Sequence, residues 1–487
     1  MNDNKATQKG ATTNTDRTSG VGLKSFITVI ALLSALLVLS GVLSYIIPQG
    51  SFARDENGVI IADSFEQDGV HGLAVWRIIT APARVFASED ALTVIMISAF
   101  LLIMSGVFNL LEKTNGTKIV IGRLMHRLAN KGGPVVCVCV LVFMLFGSFF
   151  GMFEELVTLL PLIIFFMLSL GMDTMTGLGA CLLAACFGFS AAITNPFSVG
   201  LAASVAGVGI QSGMWLRIVF FAIIYITLCA FLMLHLRRIE RDPQRSPTYE
   251  TDLLKREALD TLRDEDLCSP ESNRIFKVFT TFFAVQGAVL VLIASIRAIS
   301  HLAIPILAIS FLLGGILCGF IITPRKRDTL LLIAKGACSM LPAVVMIAFA
   351  SSIKLVMAES GIIDTIMYAV IRLLDGKSRF VTILLVYALI LILQVFIGSS
   401  SAKIMLVMPI VVPICASVGI SPAMVILAYC MADGFTDVIL PTNPVLLVGL
   451  SMANVSYSKW FKWTWRLQLL LLALTALVLL FATSIGY

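Results

Sequence analysis

The sequence has 487 residues, of which 58% are hydrophobic and only 13% are charged, and its net charge is +6. Because soluble globular chains are about 25% charged and the mean hydropathy here is +0.97, the composition excludes a soluble globular protein. Apolar runs of about 20 residues, the length that crosses the hydrocarbon core, recur along the whole chain. The sequence therefore predicts an all-α polytopic membrane protein.

The amino-terminal part of the chain predicts its orientation. Residues 1–20 are polar and are expected to form a disordered cytoplasmic tail. The apolar run after Lys24 exceeds 20 residues and has no small-residue cleavage site, which indicates a retained helix and not a removed signal peptide. The loop 48–70 is acidic, whereas the stretch 113–131 is basic. By the positive-inside rule, the tail and the basic stretch are cytoplasmic and the acidic loop is outside.

About nine full crossings are expected, with the carboxy terminus outside. They are placed at about 26–47, 91–111, 176–194, 215–236, 278–299, 304–322, 340–356, 422–439 and 467–485. Amphipathic pieces are expected at 76–86 and 361–374. Two pairs of apolar arms, within 135–170 and 381–416, are predicted to be re-entrant hairpins. The arms of the first pair have about 15 residues each, which is short for a crossing.

The two halves of the chain share one spacing. Pro196 follows Pro161 by 35 residues, Pro444 follows Pro409 by 35 residues, and Thr-Asn precedes both later prolines. The charge distribution places the first hairpin on the cytoplasmic side and the second on the outside, so the repeat is inverted. Inverted repeats with two broken helices are the layout of many secondary transporters, whose site lies where the repeats meet. A single Asn-Pro would equally suit a packing kink.

This repeat predicts the domain boundaries. The first transporter repeat is 21–237, a charged cytoplasmic linker is 238–273, and the second repeat is 274–487.

Six ionisable residues lie in apolar stretches and need a partner or a wet cavity. They are Glu154, Glu155, Lys354, Lys403, Asp433 and Asp437. Glu155 and Lys403 stand at equivalent positions, six residues before Pro161 and Pro409. The hypothesis is that they pair across the site or grip opposite ends of a substrate. A salt bridge that only holds the hairpins together is the alternative.

Asp433 and Asp437 are four residues apart and are expected to share one helical face. They are candidates for binding a coupling proton or cation or for anchoring a basic substrate, although a place at the cytoplasmic rim or a role in stabilising Lys354 is equally consistent. Oxygens near Asn195 and Asn443 offer hard ligands for a sodium ion. No other cofactor is expected.

Ser399, Ser400 and Ser401 supply hydroxyls next to a helix amino terminus, which favours an anion.

Four stretches resemble the YfcC-like branch of the DcuC carriers, in the ion-transporter superfamily. They read GMFEELVTLLPLIIFFMLSLGMDTMTG, ITNPFSVGLA, GSSSAKIMLVMPIVVPICASVGIS and ADGFTDVILPTNPVLLVGL. The resemblance covers nearly the whole chain after the tail. It implies a multi-pass carrier of the bacterial inner membrane, often a homodimer, that works by ion coupling or exchange. Members are associated with four-carbon dicarboxylates, and related branches with basic amino acids such as arginine and ornithine.

The resemblance also implies site residues, because hairpin tips and broken helices line the substrate and cation sites in this superfamily. Carried over, they are Ser399, Ser400, Ser401, Thr442, Asn443 and Pro444, with Glu154, Glu155, Thr194, Asn195 and Pro196 opposite. The second tip reads Ser-Ser-Ser-Ala where YfcC-like members have a more Gly-rich Ser-Gly-Ser-Gly. The resemblance therefore implies a site and does not transfer a substrate.

The predicted function is a secondary active transporter for a small charged metabolite, an amino acid or a carboxylate. A basic amino acid antiporter of arginine/ornithine type and a C4-dicarboxylate carrier are the alternatives. The six charges sum to net negative, which favours an amino acid or a cation-coupled anion. A membrane enzyme is disfavoured, because no HExxH, Gly-x-Ser-x-Gly or Cys/His metal spacing occurs. A channel is disfavoured by the opposite charges at the hairpin tips, and no nucleic acid partner is expected.

Overall fold

A computed structural model describes residues 23–53, 64–88, 91–116, 119, 132–260, 269–295, 303–374 and 376–487. The predicted tail, most of the basic stretch after the second span, the charged part of the acidic loop at 54–63 and linker residues 261–268 lie outside this described part.

The first half consists of helices and of two short strands that lie between the first and the second helix. Strands β1 (Gln49–Ser51) and β2 (Glu66–Gly69) form an antiparallel ribbon. The helices are α1 (Leu23–Leu43), α2 (Val75–Arg84), α3 (Ala91–Lys113), α4 (Gly132–Leu145, extended by a π-turn at Phe146–Phe150), α5 (Leu160–Ser169, preceded by a 3-10 turn at Glu155–Leu159), α6 (Thr174–Leu178), α7 (Ala184–Ser190), α8 (Leu201–Val205), α9 (Met214–Arg241) and α10 (Tyr249–Asp260). A π-turn at Gly179–Leu183 joins α6 to α7, and another at Pro196–Gly200 precedes α8.

The second half repeats the order of hairpin, broken helix and long final helix. Its helices are α11 (Pro270–Ser295), α12 (Ala303–Ile322), α13 (Lys326–Ser339), α14 (Leu341–Glu359), α15 (Ile362–Leu374), α16 (Arg379–Phe396), α17 (Ser400–Ser417), α18 (Pro422–Asp433), α19 (Pro444–Ala453) and α20 (Tyr457–Ser484). A 3-10 turn at Phe435–Val438 lies between α18 and α19.

By length and composition, eight helices in the described part can cross a membrane. Three of them, α4 with its π-turn, α16 and α17, are arms of the predicted hairpins, and each provides an 18-residue segment. Large apolar side chains such as Ile309, Leu313 and Leu317 are exposed along α12, as expected for surfaces that face lipid. The protein is an all-α polytopic membrane protein with one short β-ribbon.

Two broken helices form the centre of the molecule. The first consists of α6 to α8 (residues 174–205), and the second consists of α18 and α19 (residues 422–453). Residues 172–188 of the first and 423–435 of the second are buried on all sides. A helix that is buried all round lies within a core and not at a surface. Of the polar residues at the two breaks, Asn195 and Asn443 are buried, whereas Thr194 and Thr442 are partly exposed.

Three local features differ from the sequence-based expectation. The acidic loop contains the β-ribbon, and α13 occupies a stretch that was expected only to mark a cytoplasmic end. Ser105 and Asn109 of α3 donate to carbonyls of α13 at 2.8 and 2.7 Å, which attaches this helix firmly.

The second broken helix also ends at Asp433, and not near residue 439 as expected. Gly434 lies so close to α7 that a Cβ atom there would stand 2.1 Å from the Ser190 hydroxyl. Its carbonyl accepts from the Cys186 thiol at 3.0 Å and from the Asp437 N–H of the 3-10 turn, also at 3.0 Å. Asp437 therefore lies in a 3-10 turn and not on the α-helix that was expected to carry both aspartates, although both carboxyl groups lie near Lys403.

Two glycines let the first hairpin approach the first broken helix. A Cβ atom at Gly188 would lie 2.1 Å from the Met144 carbonyl oxygen, and one at Gly147 would lie 2.3 Å from the Ala185 carbonyl oxygen. We expect Gly188→Ala to reduce the free energy of unfolding by about 1–3 kcal/mol or more, because two backbones must separate. Thermal unfolding of the purified protein in detergent measures the change.

Gly287→Ala is the matched control, since a Cβ atom at Gly287 in α11 meets no atom of the described residues within 4 Å. Because alanine is the better helix former, this variant is expected to unfold at the wild-type temperature or slightly above it. Equal melting temperatures for the two variants would contradict the close approach.

Candidate functional site

The second hairpin tip is a short turn between α16 and α17. α16 ends at Phe396 and α17 begins at Ser400. Ser399 caps α17 by accepting the backbone N–H of Ala402 at 3.4 Å, and the Tyr429 hydroxyl donates to the Ser400 carbonyl at 2.7 Å. These contacts hold the serines at a helix end whose first N–H groups have no partner within the helix.

The first hairpin tip is held by one buried serine. The Ser148 carbonyl accepts the N–H groups of Ile193, Thr194 and Asn195 at 3.1, 3.2 and 3.0 Å. Its hydroxyl donates to the Ala191 carbonyl at 2.8 Å. The unwound backbone of the first break therefore finds its hydrogen-bond partners in the hairpin tip, as buried backbone must.

The two breaks have the same local geometry. The Asn195 side-chain oxygen accepts the N–H groups two and three residues later, at 2.9 and 3.3 Å. Asn443 does the same at 2.8 and 3.4 Å. Both asparagines are thus N-caps of the helical segment that follows the break. Gly151 lies against the side chain of Asn195, and a Cβ atom at this position would stand only 2.2 Å from the Asn195 side-chain oxygen. Its φ angle of +71° is also one that favours glycine, so only glycine fits here.

A cavity of about 320 Å³ lies between the two hairpin tips. The predicted site residues in its lining are Glu154, Glu155, Ser399, Ser400, Ser401, Asp437, Thr442, Asn443 and Pro444. The structure thus brings both tips and the second break together. Among the described residues, Thr194, Asn195, Pro196, Lys403 and Asp433 are not part of the lining. Asn195 lies next to Gly151, which is part of it, and Lys403 and Asp433 form a buried pair.

Lys403 forms an ion pair inside the protein. Its Nζ contacts Asp433 Oδ1, and both side chains are almost fully buried, with 0% and 2% exposed. Among the described residues, the second Asp433 oxygen has no hydrogen-bond donor. Asp437 lies nearby, faces the cavity and accepts a hydrogen bond from the Gln394 amide. The cluster therefore holds one lysine and two carboxyl groups.

The structure gives Lys403 a different partner from the one hypothesised. The hypothesis paired it with Glu155 because both precede a proline by six residues. Lys403 is instead buried inside α17 and turned towards α18, whereas Glu155 begins a 3-10 turn that lines the cavity. Positions that are equivalent in an inverted repeat need not face each other. Lys354, on α14, is the lysine that lines the cavity.

Three residues of the site were missed in the sequence. Ser148 and Gln394 are polar residues within apolar hairpin arms, and that position alone marks them for attention. Tyr429 gives no such signal, because its ring suits an apolar helix and only the structure shows its hydroxyl bound to the Ser400 carbonyl.

Two hairpin tips and an Asn-capped helix break that line one cavity, with a second such break beside it, define a carrier of the secondary-transporter class in this all-α membrane protein. The chain belongs to the DcuC family, described as C4-dicarboxylate anaerobic carriers, whose family model matches residues 25–484. This membership identifies a membrane carrier and not an enzyme.

Two relatives match most of the chain. One is YfcC of Escherichia coli strain K12, named as a proposed basic amino acid antiporter, which is 25% identical over 406 residues. The match covers 81% of this chain and 79% of that protein. The other is an uncharacterised protein of Haemophilus influenzae, 26% identical over 398 residues, with 82% and 77% of the two chains covered.

Two solved transporters overlap with the chain at lower similarity. The YdaH transporter of Alcanivorax borkumensis is 19% identical with a TM-score of 0.41, covering 95% of this chain and 99% of its own. MtrF of Neisseria gonorrhoeae, described with a class of antimetabolite efflux pumps, is 16% identical with a TM-score of 0.39 and covers 94% of each chain.

The buried ion pair predicts a specific pattern of stability. Lys403→Met leaves the Asp433 charge uncompensated, and we expect it to reduce the free energy of unfolding by about 3–5 kcal/mol. The double variant Lys403→Met/Asp433→Leu removes both charges and is expected to recover most of that loss. Thermal unfolding in detergent, followed by intrinsic fluorescence, measures all three proteins.

Lys459→Met, at an exposed lysine near the start of α20, serves as the matched control and should melt like the wild type. A double variant no more stable than Lys403→Met alone would show that Asp433 is not the partner that makes Lys403 necessary.

Proposed function

We propose that this carrier transports an amino acid with a cationic side chain, in exchange for a second cation. The observation that supports the proposal best is that one cavity contains groups suited to both charges. Its carboxyl groups suit a cation and are here named the cation place, and a helix amino terminus suits an anion and is here named the anion place. Glu154, Glu155 and Asp437 supply carboxyl groups. The amino terminus of α17 supplies N–H groups that have no partner within the helix, which favour a carboxylate.

The anion place has a further polar group. The Ser400 hydroxyl is buried in the cavity lining and has no hydrogen-bond partner among the described residues. A buried hydroxyl without a partner is costly unless a ligand satisfies it. An α-carboxylate at this end of the cavity would accept from Ser400 and from the first N–H groups of α17.

The charges in the lining favour a cationic substrate over a bare dicarboxylate. Three carboxyl groups and one lysine, Lys354, line the cavity. Because Lys403 is paired with Asp433 behind the lining, it does not reverse this balance. A substrate with two carboxylates would meet an excess of like charge, whereas a guanidinium or ammonium would reduce it.

Asp433 and Asp437 are the proposed coupling residues. With Lys403 they form a cluster that lacks one positive charge, and an uncompensated charge in the protein interior is costly. A proton on Asp437 or the cationic group of a substrate would each supply that charge. Because the cluster lacks a single positive charge, binding of the proton and binding of the substrate would exclude each other. Mutually exclusive binding of two cations is the condition for antiport.

Sodium is the less favoured coupling ion. The side-chain oxygens of Asn195 and Asn443 already accept two backbone N–H groups each. A sodium ion near either asparagine would therefore depend on carbonyl groups or would compete with the helix caps.

The second candidate is transport of a four-carbon dicarboxylate, which the description of the family favours.

We also propose that the carrier lies in the bacterial inner membrane, that its amino terminus is in the cytoplasm and that it forms a homodimer.

Counterflow in proteoliposomes tests the substrate. Vesicles loaded with unlabelled arginine or succinate are diluted into labelled arginine or labelled succinate, with and without a proton gradient. We expect saturable arginine exchange and stimulation by a proton gradient. Uptake of succinate alone would replace the amino acid proposal with the dicarboxylate one, and non-saturable flux of both would indicate a channel.

Asp437→Asn tests the cation place. We expect at least about a tenfold loss of arginine exchange, since a charge-assisted interaction is worth about 1.5–3 kcal/mol. Asp68→Asn, at an exposed carboxyl of β2, removes the same charge far from the cavity and should transport like the wild type. Normal exchange by a folded Asp437→Asn protein would remove Asp437 from the substrate and coupling roles.

A further inference from the structure

The linker between the two repeats makes buried polar contacts with the first broken helix. Asp252 of α10 accepts the backbone N–H of Thr174 at 2.9 Å and also accepts from the hydroxyls of Thr174 and Thr248. Thr174 is the first residue of α6. The Asp252 side chain is only 4% exposed, so these bonds are shielded from water and fix the start of that helix.

One lysine of the linker reaches both broken helices. Lys255 Nζ donates to the Thr174 hydroxyl at 3.0 Å and to the Ala453 carbonyl at 3.1 Å. Thr174 begins the first broken helix, and Ala453 ends α19, the last part of the second. The same side chain lies 3.9 Å from Asp252. A linker residue thus connects the two inverted repeats at the ends of both broken helices.

A second set of contacts holds the turn before α6. Asp173 accepts from Ser246 of the linker at 2.6 Å and from His235 of α9 at 2.9 Å. Trp463 of α20 donates to His235 Nδ1 at 3.2 Å, so the His235 proton is on Nε2 and is donated to Asp173. Burial raises the pKa of Asp173, but hydrogen bonds from His235, Ser246 and Thr176 outweigh burial and hold that pKa below its usual value.

These contacts lie at the far ends of the helices that carry the site. α19 has ten residues between the break at Pro444 and Ala453, which is about 15 Å of helix. If the two broken helices moved separately, Lys255 would lose one acceptor in a largely enclosed place. Leaving a charged donor unsatisfied there costs more than an ordinary hydrogen bond is worth. Joint movement of the two broken helices keeps both bonds of Lys255.

We propose that the linker residues Ser246, Thr248, Asp252, Lys255 and Arg256, here named the linker clasp, tie the two broken helices into one body that moves as a unit during transport. Arg256 contributes by donating to the Gly171 and Met172 carbonyls at 2.9 and 2.6 Å. Asp252 and Lys255 are therefore positioning residues. They act on the cavity through the helices and do not touch the substrate.

Cross-linking tests the tie directly. The double variant Lys255→Cys/Ala453→Cys is made in a protein whose native cysteines have been replaced. It removes the lysine, and a short bismaleimide can then link position 255 of the linker to position 453 at the end of α19. We expect arginine exchange to fall about tenfold in the unlinked double variant and to recover several-fold after cross-linking. Lys255→Cys alone, treated with the reagent, should stay low. Loss of the residual transport on cross-linking would overturn the proposal, because the two ends would then have to separate.

Conservative and non-conservative variants separate positioning from folding. Lys255→Arg keeps the donors and should retain most of the exchange rate, whereas Lys255→Met should lower the maximal rate with little change in KM. A raised KM with an unchanged maximal rate would contradict the positioning role.

The arginine-exchange assays above rest on the proposed function, whereas a second measurement needs no substrate. Hydrogen–deuterium exchange of Asp252→Asn should rise together at the start of α6 and at the end of α19, while α13 stays as protected as in the wild type. A rise at α6 alone would show that the clasp does not join the two helices. If the wild type fails to exchange arginine, the proposed function fails, and this measurement still decides the tie.

Discussion

The burial of Lys403 against Asp433 is the constraint on which the site depends. Neither charge reaches water, and each would be strongly unfavourable without the other. The lysine belongs to the second hairpin and the aspartate to the end of the broken helix, so their pairing fixes the hairpin tip against the break. The serines at that tip and Asp437, in the turn that precedes the break, then line one cavity. A hydrophobic contact of the same size would hold the two elements less specifically, because apolar packing tolerates sliding.

The inverted repeat supplies a scaffold that is nearly symmetrical, while the chemistry on it is not. Asn195 and Asn443 cap the segments after the two breaks with the same pair of hydrogen bonds. The charges of the cluster, however, all belong to the second half, and the first half contributes Ser148 and the carboxyl groups of its tip. The backbone geometry of the two breaks is therefore symmetrical, whereas the charged side chains are distributed unequally between the two halves.

Much of this arrangement could be predicted from the sequence, and the reasons for the misses are physical. The two Thr-Asn-Pro breaks were found because proline and a capping asparagine act locally, and the structure places both as expected. The 3-10 turn after Asp433 was missed because it depends on the contact between Gly434 and Ser190, which are far apart in sequence. α13 was missed because its charged residues lower its hydropathy, although its other face packs against α3. The partner of Lys403 could not be read from spacing, since equivalence between repeats says nothing about which residues meet.

The distribution of the two charge places also indicates where substrate choice is decided within such a fold. The proposed anion place lies at the second hairpin tip, where it consists of the amino terminus of α17 and the Ser400 hydroxyl. The proposed cation place consists of the side chains of Glu154, Glu155 and Asp437, which substitution can change without altering the backbone. Under the proposed function, one fold can serve carriers of dicarboxylates and of amino acids, because a helix end binds a carboxylate and the side chains opposite it select the other end of the substrate.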